Sequence, residues 1–294
     1  MAWTTLVRPQ ELARAMKPRN GGDRAPMDIL VLDVRHSLQD PEAGPRLYRE
    51  GHVPGALHAH VDRDLSSPVR PDTGRHPLPG PDEFRQKASA WGIGPRTQVV
   101  AYDDNAGAWA SRVWWLLRDY GHHSVALLDG GLQAWLREGF PLETAGHARR
   151  PARFAGTPGR MPRAEAKDLL HGGWLPVDAR TPERYRAEKE PIDPVAGHIP
   201  GAVNLPFAGN VGPDGFFLPP DQLRSRFQTA VANTPVSRVA CYCGSGVTGP
   251  LNILAMEVAG LRGAALYPGS WSDWIRDPKR PVAKGPEPGA IKAR

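Results

Sequence analysis

Cysteine and lysine are scarce in this chain of 294 residues, which has two cysteines and seven lysines against thirty arginines. The cysteines, Cys241 and Cys243, stand one residue apart. Such a pair is too small for a disulfide framework, and a bond between the two would need awkward geometry. No run of 18 or more apolar residues occurs, which excludes an ordinary membrane-spanning helix. The opening MAWTTLVRPQEL lacks a basic-then-apolar leader pattern, so the expected location is the cytoplasm. No Cys/His group has metal-ligand spacing, and no Gly-rich phosphate-binding fingerprint is present; Gly21-Gly22 and Gly172-Gly173 read as loop punctuation. Neither a metal nor a cofactor is expected. The net charge of +6 comes from scattered arginines without an RNP motif or zinc-finger spacing, so no nucleic-acid partner is expected. The arginines read as a compositional bias, or as an attraction for small anionic substrates.

What the chain does contain is a repeat. Leu32-Asp33-Val34-Arg35 recurs as Val177-Asp178-Ala179-Arg180, an offset of 145, and Gly51-His52-Val53-Pro54-Gly55-Ala56 recurs as Gly197-His198-Ile199-Pro200-Gly201-Ala202, an offset of 146. Val100-Ala101-Tyr102-Asp103 aligns with Ala240-Cys241-Tyr242-Cys243 at 140, and Gly130-Gly131…Trp135 aligns with Gly269-Ser270…Trp274 at 139. Four matches in one order indicate a duplicated domain. The fall in offset places extra residues in the first copy, around Arg63 to Gly80.

Each copy reads as α/β. Ile29–Val34, Gln98–Tyr102 and Val125–Leu128 are apolar runs of strand length, with a helix over Ala108–Tyr120. The second copy offers strands at Leu175–Asp178 and Arg238–Tyr242 and a helix at Pro250–Ala259, closed by Gly260. Alternating strands and helices predict two tandem domains, each a parallel sheet flanked by helices on both faces. The expected boundaries are 1–143 and 163–284, with a linker over 144–162 and a flexible tail over 285–294.

The copies differ where chemistry is possible. Cys243 ends a strand and is followed by Gly244-Ser245-Gly246-Val247-Thr248-Gly249-Pro250 and a helix. Small residues let backbone N–H groups converge on one sulfur. Thr248 as a helix cap and Pro250 in the first turn would bring the positive helix end to the same place. Such a setting lowers a thiol pKa from its usual value of about 8.5. The first copy has Asp103 at this position, and its loop, Asp104-Asn105-Ala106-Gly107, lacks the glycine spacing of the second. A carboxylate lacks the thiolate's nucleophilic sulfur, so the first copy is expected to be a structural and substrate-shaping partner. Cys241 is expected to pack in the core, and His52 and His198 to hold their Gly-His-x-Pro-Gly turns.

The sequence Cys243-Gly244-Ser245-Gly246-Val247-Thr248, with the Asp-x-Arg, Gly-His-x-Pro-Gly-Ala and Trp-ending glycine motifs, resembles the two-domain rhodanese family. The loop is most similar to that of its 3-mercaptopyruvate sulfurtransferases, while thiosulfate-preferring members carry Arg-Lys in place of Gly244-Ser245. The resemblance implies tandem rhodanese-like domains and a Cys243 persulfide with no cofactor. It also implies transfer of sulfur from 3-mercaptopyruvate to cyanide or a thiol acceptor such as thioredoxin. Arg180 and Arg184 match the family's substrate-binding pair, with Arg186 a weaker candidate. Ser245, His76 and Asp64 match its proton-transfer neighbourhood, with Asp62 able to replace Asp64. Gly244, Gly246, Val247 and Thr248 would form the substrate-facing cradle.

Three rivals remain. Thiosulfate, a compact dianion, would gain from cations beside Cys243 that the loop itself lacks. A phosphatase or arsenate reductase of the same fold needs Cys-x5-Arg, and position 249 is Gly. A binding module without catalysis would have no reason to keep Cys243.

Overall fold

The computed structural model describes residues 2–17 and 28–290, so Gly21-Gly22 and residues 291–294 of the expected tail lie outside it. The chain forms two compact units. The first takes the described part of residues 1–66 with 79–160 and 211–217; the second takes 67–78, 161–210 and the chain from 218 onward.

The first unit is built on strands β1 (Leu6–Val7), β2 (Ile29–Asp33), β3 (Leu57–His58), β4 (Gln98–Tyr102) and β5 (Val125–Leu128). They form one parallel sheet in the order β1-β5-β4-β2-β3. Its helices are α1 (Pro9–Met16), α2 (Ala43–Glu50), α3 (Val61–Asp64), α4 (Pro81–Ala90), α5 (Ala110–Asp119) and α6 (Gly131–Arg137). Strands β4 and β5 are buried along their whole length, as expected where helices cover both faces. Alternate residues Val100, Tyr102, Ala126 and Leu128 pack with Leu12 of α1 and with Leu132 and Trp135 of α6, while α5 packs against β4 and β5.

The second unit repeats this plan with β6 (Leu175–Asp178), β7 (Val203–Asn204), β8 (Val239–Tyr242) and β9 (Ala265–Leu266), parallel in the order β7-β6-β8-β9. Its helices are α7 (Ala166–Leu170), α8 (Pro182–Tyr185), α9 (Pro220–Val231), α10 (Gly249–Val258) and α11 (Ser270–Trp274). Ala240, Tyr242, Ala265 and Tyr267 meet Leu169 of α7 and both tryptophans of α11. Helix α10 packs against β8, β9 and α9. Trp271 and Trp274 are fully buried, and deleting a ring of this kind costs about 3–5 kcal/mol.

The sequence motifs that repeat are one buried network built twice. Arg35 Nη2 donates to Asp33 Oδ2 at 2.6 Å and to the Gly51 carbonyl at 2.7 Å. The Tyr102 hydroxyl donates to the same carboxylate at 2.6 Å and accepts the Val53 N–H at 3.1 Å. In the second unit Arg180 Nη2 donates to Asp178 Oδ2 at 2.6 Å and to the Gly197 carbonyl at 2.7 Å. Tyr242 bonds Asp178 and accepts the Ile199 N–H. The network ties the end of the first long strand to the Gly-His-x-Pro-Gly turn and to the strand that precedes Asp103 or Cys243.

Three expectations about chain organisation change. The units are not contiguous: 67–78, within the stretch of extra residues in the first copy, belongs to the second unit, and 211–217 belongs to the first. In the first unit, the guanidinium groups of Arg8 and Arg137 lie 4.2 and 5.4 Å from the Phe216 ring centroid, and the Phe217 N–H donates to Asp129 at 2.9 Å. The expected linker contributes packing to the first unit up to Arg160. Phe154 is buried against Phe84, Tyr120 and His122, and the Ala152 N–H donates to the Ser89 carbonyl. Residues 285–290 of the expected tail are bound into the second unit, where the Gly201 N–H donates to the Pro288 carbonyl at 2.7 Å.

Candidate active site

Cys243 follows the last residue of β8, and the loop after it curls into α10. The Cys243 N–H donates to Ser270 Oγ at 3.1 Å, and its carbonyl accepts the Trp271 N–H at 3.0 Å. Ser270 has a left-handed backbone (φ +55°), a cost offset by its hydroxyl, which also donates to the Tyr267 carbonyl at 3.0 Å. Gly246 has φ +83°, and a Cβ there would lie 2.1 Å from the Pro268 carbonyl oxygen. Only glycine fits, and its N–H donates to Cys243 Sγ at 3.1 Å.

Burial works against charge on the Cys243 sulfur. The Thr248 hydroxyl and the backbone N–H groups of Ser245, Thr248 and Gly249 outweigh it and hold the thiol pKa below the ordinary value. Thr248 therefore does not cap α10 with its side chain; the hydroxyl is turned to the sulfur, and Pro250 stands in the first turn of the helix as expected. Cys241 is the opposite case: fully buried with no compensating donor, its thiol is pushed up to about 12 and stays neutral.

His76 and Ser245 lie next to this cradle. Residues 67–78 belong to the same unit as Cys243, and His76 Nδ1 lies 2.7 Å from Ser245 Oγ with both side chains buried. A hydroxyl joined to an imidazole beside a thiolate can hold and pass a proton. Asp64 belongs to the first unit and is not among the groups the second unit assembles. Its Oδ1 pairs with Lys87 at 2.6 Å and its Oδ2 accepts the His60 N–H at 2.8 Å. Asp62 also lies in the first unit.

The arginines divide differently from expectation. Arg180 is buried in its ion pair with Asp178, and the same arrangement holds Arg35 in the copy without a cysteine. Burial disfavours its charge, but Asp178 prevails and raises its pKa, so Arg180 is a fixed structural cation. Arg186 is at the surface, paired with Glu188. Arg184 does reach the cradle: Nη1 and Nη2 lie 3.4 Å from where a Cβ on Gly244 would stand. A second cation that sequence reasoning missed is there too, because Arg75 Nη2 lies 3.1 Å from the same point. Burial holds the Arg75 pKa below its ordinary value, and the nearby Cys243 sulfur opposes this only in part. Asp193 bridges the two guanidinium groups, one oxygen on Arg75 Nη1 and the other on Arg184 Nη2, and Glu190 holds Arg184 Nε at 3.1 Å. Gly244 leaves open the space in front of them. The loop itself has no cation, as expected, but Arg75 and Arg184 bring two beside it. A signal for Arg75 was present, since it adjoins His76 within the extra residues of the first copy.

The first copy forms a cradle as well. Asp103 Oδ1 accepts the N–H groups of Asn105 and Gly107, and Oδ2 those of Trp109 and Ala110, all at 2.8 Å. The missing glycine is no obstacle, because Ala106 takes the left-handed conformation (φ +56°) ahead of Gly107.

A profile of the rhodanese-like domain matches residues 11–138 and again residues 162–277. The chain belongs to the rhodanese family. Over 264 residues it is 50% identical to a "probable 3-mercaptopyruvate sulfurtransferase" of Pseudomonas aeruginosa, covering 88% of this chain and 93% of that protein. It is 36% identical to the 3-mercaptopyruvate sulfurtransferase of Homo sapiens, over 92% of this chain and 91% of that one. The solved structure of 3-mercaptopyruvate sulfurtransferase from Leishmania major superposes with a TM-score of 0.81 at 29% identity, covering 94% of this chain and 76% of that chain. Proteins named thiosulfate sulfurtransferase are also among its curated relatives. No helix among the described residues is long and apolar enough to cross a membrane.

Proposed function

We propose that this rhodanese-family sulfurtransferase takes the thiol sulfur of 3-mercaptopyruvate onto Cys243, where it becomes the sulfane sulfur of a persulfide, and passes it to cyanide or a thiol, thioredoxin being one acceptor of suitable chemistry. The observation that carries the reading is the pairing of a buried thiol, its pKa held down by hydrogen-bond donors, with two guanidinium groups in front of Gly244. The substrate carboxylate would lie against Arg75 Nη2 and Arg184 Nη1, which presents the donor sulfur to Cys243. The Cys243 thiolate attacks that sulfur, the carbon–sulfur bond breaks, and its electron pair leaves as the enolate of pyruvate. A proton from Ser245, replaced through His76, completes pyruvate and leaves the persulfide. The N–H groups that favour a thiolate favour the persulfide anion equally. An acceptor then attacks the outer sulfur and restores the thiolate, so the cycle needs no cofactor.

Thiosulfate as donor is the second reading, and the same pair of cations favours it. Steady-state rates with each donor, for wild type, Arg75→Ala and Arg184→Ala, separate the two. With mercaptopyruvate as donor, each variant is expected to lose about 1.5–3 kcal/mol in kcat/KM, mostly as a raised KM. Wild type preferring thiosulfate, or equal losses for both donors, would reverse the assignment.

A further inference from the structure

The His52–Glu143–His147 cluster of the first unit lies outside the sulfur chemistry and has a geometry that its counterpart lacks. His52 is fully buried and stacks on Tyr48 with ring centroids 3.8 Å apart. Its Nδ1 lies 2.7 Å from the Tyr48 carbonyl, an acceptor only, so this nitrogen carries the proton. Nε2 is left with its lone pair, and among the described residues it has no hydrogen-bond partner. It points toward Glu143 Oε1 at 3.7 Å, and His147 Nε2 lies 2.5 Å from that same oxygen. The three atoms lie within 4.8 Å of one another. Glu143 is fixed by backbone pairing with His52, at 2.9 and 3.0 Å, and by the Gly55 N–H on Oε1.

His198 is the repeat partner of His52 and stacks on Tyr185 in the same way. Its Nδ1 also lies near a carbonyl, that of Tyr185 at 2.8 Å, but its Nε2 faces the carbonyls of Glu287 and Pro288 at 3.1 and 3.3 Å. Where Glu143 pairs with His52, the second copy pairs Ala283 with His198. The buried imidazole is thus common to both turns, whereas a carboxylate and a second imidazole converge only on His52.

We propose that His52 Nε2, Glu143 and His147 Nε2 form a site for a divalent transition metal of the zinc class. Two imidazoles and a carboxylate suit such an ion, and an outer hydrogen bond fixing the ligand tautomer is usual for metal-bound histidine. Ligands about 2.1 Å from a tetrahedral ion stand about 3.4 Å apart, so the 3.7 Å gap already fits. The 2.5 Å contact opens by less than an ångström as the ion replaces the proton between Glu143 and His147. The fourth position remains for water or a small anion. The sequence hides this site because its ligands come from a turn and from the strap after α6, in no recognised spacing.

Zinc binding to the full chain tests the proposal, with Cys243→Ser as the parent so that the reactive thiolate does not compete. Competition with a chromophoric chelator should give one zinc per chain, and cobalt should give the visible spectrum of a tetrahedral site. His147→Ala and Glu143→Gln, both at accessible positions, should weaken zinc binding by about 100-fold and abolish the cobalt bands. Zinc should raise the melting temperature of the parent and not that of His147→Ala. No stoichiometric zinc, or binding unchanged in both variants, would overturn the site.

Discussion

Asp103 and Cys243 occupy the same place in two copies of one strand–loop–helix unit, and the contrast between them separates what the fold supplies from what the residue supplies. Both carbonyls accept an N–H from the glycine motif that follows, Leu132 in one copy and Trp271 in the other, each at 3.0 Å. Both side chains take N–H donors from the loop after the strand. The architecture is an anion receptor in either case. In the first copy the receptor is filled by the chain's own carboxyl group, with two N–H bonds to each oxygen; burial raises its pKa against those donors, and it has no chemistry left to do. In the second the anion is a polarisable sulfur that can lose electrons to a new bond. The receptor is present twice, and the first copy lacks the sulfur that transfer needs.

That comparison can be broken by exchange. Cys243→Asp places the first copy's carboxylate in the second cradle, and transfer activity is expected to fall to the assay background. A thermal melt of the same variant should show no loss of stability, since a carboxylate satisfies these donors at least as well as a thiolate. Unfolding would mean that the two cradles are not equivalent.

Asp103→Asn is the converse test. An amide puts its own N–H2 against backbone donors, so two of the four N–H groups lose their acceptor, at a cost of about 1–3 kcal/mol in urea unfolding. Sulfur loading of the folded protein should be unchanged.

The smallest effect belongs to Thr248→Val. Reaction of Cys243 with an alkylating agent rises with pH as the thiolate forms, and the depressed pKa places that rise below the ordinary thiol range. Removing the hydroxyl removes one of the donors that lower the pKa, so the midpoint should move up. The plateau at high pH should stay the same. A midpoint that does not move would leave the backbone N–H groups as the whole cause.

Much of this was readable from the residues. Strands β4, β5 and β6 lie where continuous apolar runs placed them, at Gln98–Tyr102, Val125–Leu128 and Leu175–Asp178. The two-residue strands β1, β3, β7 and β9 were missed, because two residues carry no periodicity. The reactive sulfur was legible because strand, small residues and helix start coincide at Cys243. The arginines proposed to hold the donor were legible only in part, because an arginine's role depends on what lies beside it. Arg180 and Arg184 stand four residues apart, yet one is locked to Asp178 and the other reaches Gly244. Arg75 comes to Cys243 because 67–78 joins the second unit, a long-range packing outcome to which its place beside His76 was the one pointer in the sequence.

The central claim is that the second cradle alone carries sulfur, on Cys243. Intact-mass and peptide mass spectrometry after incubation with 3-mercaptopyruvate test it directly. One added sulfur per chain, about 32 Da, should map to the Cys243 peptide fragment and be lost on adding cyanide, with none in Cys243→Ser. Sulfur found on Cys241, or turnover persisting without Cys243, would contradict the account.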